Sequence, residues 1–410
     1  MDFIDNKVSN RLGGPSFFEN NNKLYKFEKI KKITREVKSK HPNKKLIDMG
    51  VGEPDKMANM SIVDILAIEA RKPENRFYAD NGIAEFQEAA CRYLYNIYGL
   101  NNISVKNIIH GIGSKPILAM LPICFINPGD ICLMPSPAYQ VLGTYSKFLG
   151  GDIYNMPLCE ENNFYPDLDS IPIEIKKRAK LLYLNYPNNP TGQVATKEFY
   201  EYAVKFAKEN DVLIISDLAY GALTYGDYTP LSILSIDGAM DVCLEIHSLS
   251  KSFNMTGWRL AFVVGSEKAI NVYSTVKGHT DSGQFRAIQK AGAYALDNYS
   301  LILENKERYL RRFKLLVNVL NEIGFDAKMP KGGFYSYVKS PIGIKNGLKF
   351  ENAEQASLYI LSNALVSTVP WDDCGSFLRF SVTYDANSIS EEIQVMQDLK
   401  QRLLSLNLEF

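Results

Sequence analysis

Apolar positions follow two periodicities along the chain. From about residue 107 to 265, short apolar runs alternate with stretches of helical pattern. The runs cover 107–112, 131–134, 153–156, 181–185, 212–216, 242–247 and 260–264. Such alternation predicts an α/β domain: a mainly parallel, seven-stranded sheet with helices on both faces. Upstream, Phe86, Ala89, Ala90, Tyr93, Leu94 and Ile97 share one face of a helix over 84–98. Earlier still, Tyr25, Phe27, Ile30 and Ile33 recur at near-helical spacing in an arm rich in Asn and Lys. A short strand over 46–51 then enters the turn signal Gly50-Val-Gly-Glu-Pro54.

After about 285 the pattern changes. Long helices are predicted over 287–322, then strands over 334–338 and 377–382. A last helix carries Ser388-x-x-Glu391 as a capping box, with Ile393, Met396, Leu399 and Leu403 on its inner face. The expected domains are therefore an arm with part of a small domain (1–50), a large domain (51–285) and a smaller α+β domain (286–410).

Composition narrows the class. With 410 residues, 46% hydrophobic and 22% charged, the chain can build two ordinary soluble domains. Lys+Arg and Asp+Glu both number 46, which argues against nucleic acid or an anionic membrane as partner. The N-terminus is polar and has no signal-peptide h-region, and no apolar run is long enough for a bilayer. A cytoplasmic location follows as the expectation. Six cysteines form no Cys-x-x-Cys pair and four histidines show no metal spacing, so reduced thiols and no metal are expected.

The candidate chemistry lies at the ends of the apolar runs. Ser248-Leu-Ser-Lys-Ser-Phe-Asn-Met-Thr-Gly-Trp-Arg259 places Lys251 among Ser248, Ser250 and Arg259. A lysine can form a Schiff base with an aldehyde, while hydroxyls and a guanidinium hold a phosphate. Pyridoxal phosphate (PLP) requires both. Lys251 would also serve as the base that moves the substrate's α-proton. A solvated surface lysine is the competing reading. Asp217 ends a run, where a carboxylate can pair with the pyridine nitrogen of PLP or simply cap a helix. Tyr220 can reach the ring's phenolic oxygen or pack in the core.

Asn185-Tyr-Pro-Asn-Asn-Pro-Thr-Gly192 forms a tight loop in which Asn189 can donate to the same oxygen. Gly111-Ile-Gly-Ser-Lys-Pro116 opens a helix and makes an anion site, with Ser114 and Lys115 on the phosphate side. Tyr139 can stack on the cofactor ring or be a buried aromatic. Arg379, inside an apolar strand, needs an anion: a substrate carboxylate or a structural partner.

Asn189-Pro-Thr-Gly192, Asp217-x-x-Tyr220, Ser248-x-Ser-Lys251, Arg259 and Arg379 stand in the order found in fold-type I PLP-dependent aminotransferases. The chain resembles that family, which includes aspartate aminotransferase, over nearly its whole length. The resemblance implies Lys251 as the Schiff-base lysine and Asp217 on the ring nitrogen, with Asn189 and Tyr220 at the ring oxygen. It places the phosphate on Ser248, Ser250 and Arg259 and the substrate carboxylate on Arg379. It further implies a homodimer, in which Tyr78 reaches the phosphate of the partner's cofactor.

Tyr25-Lys-Phe-Glu-Lys-Ile30, Asp48-Met-Gly-Val-Gly-Glu-Pro-Asp55, Asn75-Arg-Phe-Tyr-Ala-Asp-Asn-Gly82, His247-Ser-Leu-Ser-Lys251 and Val369-Pro-Trp-Asp-Asp-Cys-Gly375 resemble LL-diaminopimelate aminotransferases. Those enzymes exchange an amino group between LL-diaminopimelate and 2-oxoglutarate, in the synthesis of lysine and peptidoglycan precursors. The likeness implies Tyr25, Gly52, Lys115 and Asn189 near the substrate, and Asp80 from the neighbouring subunit. His279 stands where that family tends to carry Asn, which bears on the distal end of the substrate. The alternatives are an aspartate- or alanine-type aminotransferase, a PLP-dependent β- or γ-lyase, and a non-catalytic PLP protein.

Overall fold

The computed structural model describes residues 3–17, 26–40, 42 and 44–410. It divides into two compact units. The larger holds 53–310 and 330–333; the smaller holds 1–52, 311–329 and 334–410. The division falls at 310/311, inside the helix Ile302–Ile323, whereas the apolar pattern placed it near 285. The cause is packing: helix Arg286–Asp297 lies on helices Met60–Ala70 and Ala84–Tyr98 and so joins the larger unit.

In the larger unit all seven apolar runs form strands of one sheet. They are β1 (Ile108–Gly111), β2 (Ile131–Ser136), β3 (Asp152–Pro157), β4 (Ala179–Leu184), β5 (Leu213–Asp217), β6 (Cys243–Ser248) and β7 (Ala261–Gly265). Their order across the sheet is β1-β7-β6-β5-β4-β2-β3. The β6-β5-β4-β2-β3 pairings are parallel, and β7 runs antiparallel to β1 and β6. Only a four-residue helix, Leu249–Ser252, and a turn of 3-10 helix link β6 to β7, too little for a parallel crossover.

Side chains alternate across the sheet. Met134, Leu181, Tyr183, Ile215, Ile246 and Val263 join Leu118 and Leu121 of helix Ser114–Phe125 in one buried cluster. On the opposite face His247 meets Tyr93 of helix Ala84–Tyr98 edge to face. Both faces are covered, which explains why the strands read as nearly continuous apolar runs.

The smaller unit has an antiparallel sheet of β8 (Tyr335–Lys339), β9 (Val369–Trp371) and β10 (Phe377–Ser381), ordered β9-β10-β8. Its last helix, Ile389–Leu404, starts as expected: Ser388 Oγ accepts the Glu391 N–H at 3.2 Å. The Glu391 carboxylate accepts the N–H of Asn387 (2.8 Å), one residue ahead of the cap. Met396, Leu399 and Leu403 are buried, but Ile393 is 42% exposed. Glu392 takes the inner place, because Arg311 and Arg312 hold its carboxylate. Cys91, Cys124, Cys132 and Cys243 are free thiols. Among the described residues no helix is long and apolar enough to cross a membrane.

Candidate active site

The carboxyl ends of β4, β5 and β6 gather Asn189, Asp217, Tyr220, Ser248, Ser250 and Lys251. Open α/β sheets bind ligands at this edge, because the loops there are free to carry side chains. Asp217 closes β5 and is only 5% exposed. Its Oδ2 accepts the phenol of Tyr183 at 2.9 Å, and its Oδ1 accepts the N–H of Ala219 at 3.2 Å. Burial pushes the carboxyl up to about 6. The two hydrogen bonds and the charges of His247 and Lys251 work against that rise.

Asn185 ties this strand end to the loop that follows β4. Its Nδ2 donates to the Asp217 carbonyl (2.8 Å), and its Oδ1 accepts the Asn189 N–H (3.0 Å). The loop closes on itself through Thr191 Oγ1 donating to Asn188 Oδ1 (2.8 Å) and Gly192 N–H donating to the Asn188 carbonyl (2.9 Å). Asn189 is thus held half-buried beside Asp217's strand. Tyr220 is buried, with the Gly333 backbone near its ring.

A second cluster forms around the helix Ser114–Phe125. Gly113, just before it, has φ +82°. A Cβ there would lie 2.2 Å from Arg259 Nη2, so only glycine admits the guanidinium. Arg259 itself is in the left-handed region (φ +58°) and donates to the Thr256 carbonyl at 2.8 Å. Thr256 Oγ1 donates to the Ser250 carbonyl (3.0 Å), and Ser248 Oγ accepts the Ser250 N–H (3.2 Å). Gln284 Nε2 fixes the same turn through the carbonyls of Trp258 and Arg259. A guanidinium laid on a helix N-terminus, with hydroxyls alongside, suits a phosphate. The donor set and the glycine cradle fit PLP.

The remaining candidates are more dispersed. Ser114 is half-buried at the first helical position and Lys115 is exposed at the second. Tyr139 packs half-buried on the sheet's core cluster. Tyr78 is 77% exposed, and its carbonyl accepts two donors from Arg286. Asp80 and His279 are exposed. The Asp80 carbonyl accepts from the buried Lys277 (2.7 Å), which also pairs with Asp281 at 2.7 Å. In the smaller unit, Arg379 is 1% exposed on β10. It lies 4.0 Å over the Tyr335 ring and donates to the Gly50 carbonyl at 3.1 Å. The Tyr335 hydroxyl also faces Gly52, where a Cβ would come within 3.3 Å of it. Tyr25 lies outside the described residues.

Four residues at or behind this sheet edge were given no role in the reading of the sequence. Tyr183 and Asn185 sit in an apolar run, where a tyrosine signals packing. Glu245 and His247 lie buried on the sheet's other face. The Glu245 carboxylate accepts from Ser232 Oγ (2.7 Å), His247 Nε2 (2.9 Å), Ile233 N–H (3.1 Å) and Ser216 Oγ (3.2 Å). A glutamate inside an apolar strand was the available signal, since its burial demands such partners.

Residues 44–395 match the family described as aminotransferase class I and II, and the chain belongs to that family. It is a PLP-dependent transaminase with this family's α/β fold. The chain is 51% identical to the LL-diaminopimelate aminotransferase of Methanocaldococcus jannaschii, covering 100% of this chain and 99% of that one. It is 49% identical to the enzyme of the same name from Methanococcus maripaludis, again over 100% and 99%. Among solved structures, substrate-bound BacF from Bacillus subtilis superposes with a TM-score of 0.85 at 32% identity, covering 94% of this chain and 96% of that one.

Proposed function

We propose that this aminotransferase moves an amino group between LL-diaminopimelate and 2-oxoglutarate. Full-length similarity to enzymes of that name at 51% and 49% identity supports the substrate. The observation that carries the site is the buried Asp217 carboxylate at the carboxyl end of β5, held by the Tyr183 phenol and the Ala219 N–H. PLP, when bound, supplies the aldehyde that captures the amino group and the ring that accepts the electrons released from the α-carbon.

In this reading Lys251 anchors the cofactor and then carries the α-proton. Asp217 holds a proton on the ring nitrogen. Asn189 and Tyr220 contact the ring oxygen, and Tyr139 stacks on the ring. Ser114, Lys115, Ser248, Ser250 and Arg259 hold the phosphate. Arg379 grips the substrate carboxylate, with Tyr25, Gly52, Lys115 and Asn189 around it and His279 toward the distal end. The enzyme acts as a cytoplasmic homodimer, and Tyr78 and Asp80 serve the partner's site. Exposed Phe77, Tyr78 and Phe285, joined through Arg286, support a surface that a second copy covers.

The test is to mix holoenzyme, without any oxo acid, with LL- and meso-diaminopimelate, glutamate, aspartate, alanine and lysine. The expected result is conversion of the cofactor to its pyridoxamine absorbance by LL-diaminopimelate and glutamate, and not by the meso isomer. Conversion by aspartate or alanine with diaminopimelate inert would discard the substrate and leave the transaminase. Pyruvate or ammonia released without an oxo acid would point to a lyase instead. Multiple turnover by Lys251→Ala would overturn the role of that lysine.

A further inference from the structure

We infer that Tyr183 is a positioning residue for the transamination: its hydroxyl aims the Asp217 carboxylate and keeps it deprotonated for the cofactor's ring nitrogen. This rests on the ring-nitrogen role proposed for Asp217. The geometry is specific to the sheet. Tyr183 on β4 pairs with Ile215 on β5, so Tyr183, Ile215 and Asp217 share one face. Asp217 lies two residues beyond the pairing, roughly 6.6 Å along the strand, about the length of a tyrosine side chain. The phenol spans that gap and donates to Oδ2 at 2.9 Å.

Tyr183 is fully buried, so water does not compete for either partner. Asn185, from the same strand end, fixes the Asp217 carbonyl at 2.8 Å. Carboxylate and backbone are therefore held from one neighbouring segment. A core phenylalanine would fill the same volume without the donor, so packing does not account for the hydroxyl.

The electrostatics run the same way. Burial and the Asp217 charge both push the Tyr183 phenol well up, so it remains a donor at any working pH. On Asp217, the Tyr183 hydrogen bond is the strongest influence opposing burial, ahead of the Ala219 N–H and the charges of His247 and Lys251. Tyr139 and Tyr220 are the other titratable groups facing the pair.

The experiment uses the full-length protein as wild type, Tyr183→Phe and Asp217→Asn, followed by infrared spectroscopy across pH. A protonated-carboxyl band missing from Asp217→Asn reports Asp217 directly. The expected midpoint in Tyr183→Phe is about one pH unit above wild type, the size of one hydrogen bond to a charged group. Incorporation of 3-fluorotyrosine at 183, a stronger donor, should move it the other way, which covers the case that Phe does not fold. On dialysis near about pH 6, Tyr183→Phe should also lose PLP about tenfold more readily than wild type, with the gap closing at higher pH. An unmoved midpoint in protein that still binds PLP overturns the role of Tyr183 alone. Failure of the wild type to bind PLP overturns the reading on which that role rests.

Discussion

Two buried carboxylates, one in each unit, are treated in opposite ways. Glu392 in the smaller unit is 2% exposed and faces two guanidiniums. Burial works to raise its carboxyl, but hydrogen bonds from Arg311 and Arg312 outweigh that and hold it below its ordinary value. Arg312 in turn spends its remaining donors on the carbonyls of Val382, Tyr384 and Ala386. Among the described residues, Asp217 in the larger unit accepts direct hydrogen bonds from neutral donors, a phenol and an amide, and burial wins. A carboxylate that must never change is clamped by permanent cations. One proposed to meet a cofactor is left poised.

The sharpest way to break this contrast is to remove the clamp. Glu392→Ala should destabilise the protein by about 3–5 kcal/mol, because it strands the buried Arg312 guanidinium. Denaturant unfolding measures this, and a loss below about 1 kcal/mol would mean that the cluster is solvated rather than buried.

The corresponding change in the larger unit should hurt chemistry, not folding. Asp217→Asn is expected to lower turnover on the order of 10²- to 10³-fold, as when one preorganised polar group is lost. The folded carboxyl is raised to about 6 from 3.8. Its contribution to stability is therefore full below 3.8 and lost as pH rises through about 6. At neutral pH the cofactor-free variant should be as stable as wild type, or more so. A lower melting temperature would contradict that sign.

The smallest effect concerns a third buried group. His110 is fully buried, its Nε2 bonded to Gln284 (3.1 Å) and its Nδ1 without a partner among the described residues. Burial, with Lys277 nearby, lowers it to about 4 from 6.5. The sign is opposite to that of Asp217: the stability it contributes is full above 6.5 and lost as pH falls through about 4. Wild type should lose up to about 1.4 kcal/mol per pH unit across that window relative to His110→Gln. Parallel pH profiles for the two proteins would show that the imidazole does not titrate on unfolding.

Much of this architecture was legible in the residues themselves. The seven apolar runs, the helix over 84–98 and the Ser388 cap depend on neighbours within a turn or a strand, and local order survives folding unchanged. The residue types at the strand ends, Asn189, Asp217 and Lys251, were equally readable, because a loop after an apolar strand has one place to go. What the tertiary structure decided is who meets whom. Tyr183 reaches Asp217 across 34 residues of chain, Arg312 reaches Glu392 across 80, and Arg259 fills the space that Gly113 leaves open. Ile393 is turned outward because its neighbour Glu392 had a stronger claim on the interior. Burial and charge pairing depend on atoms distant in sequence, so they set the proton affinity of Asp217 in a way no local pattern encodes.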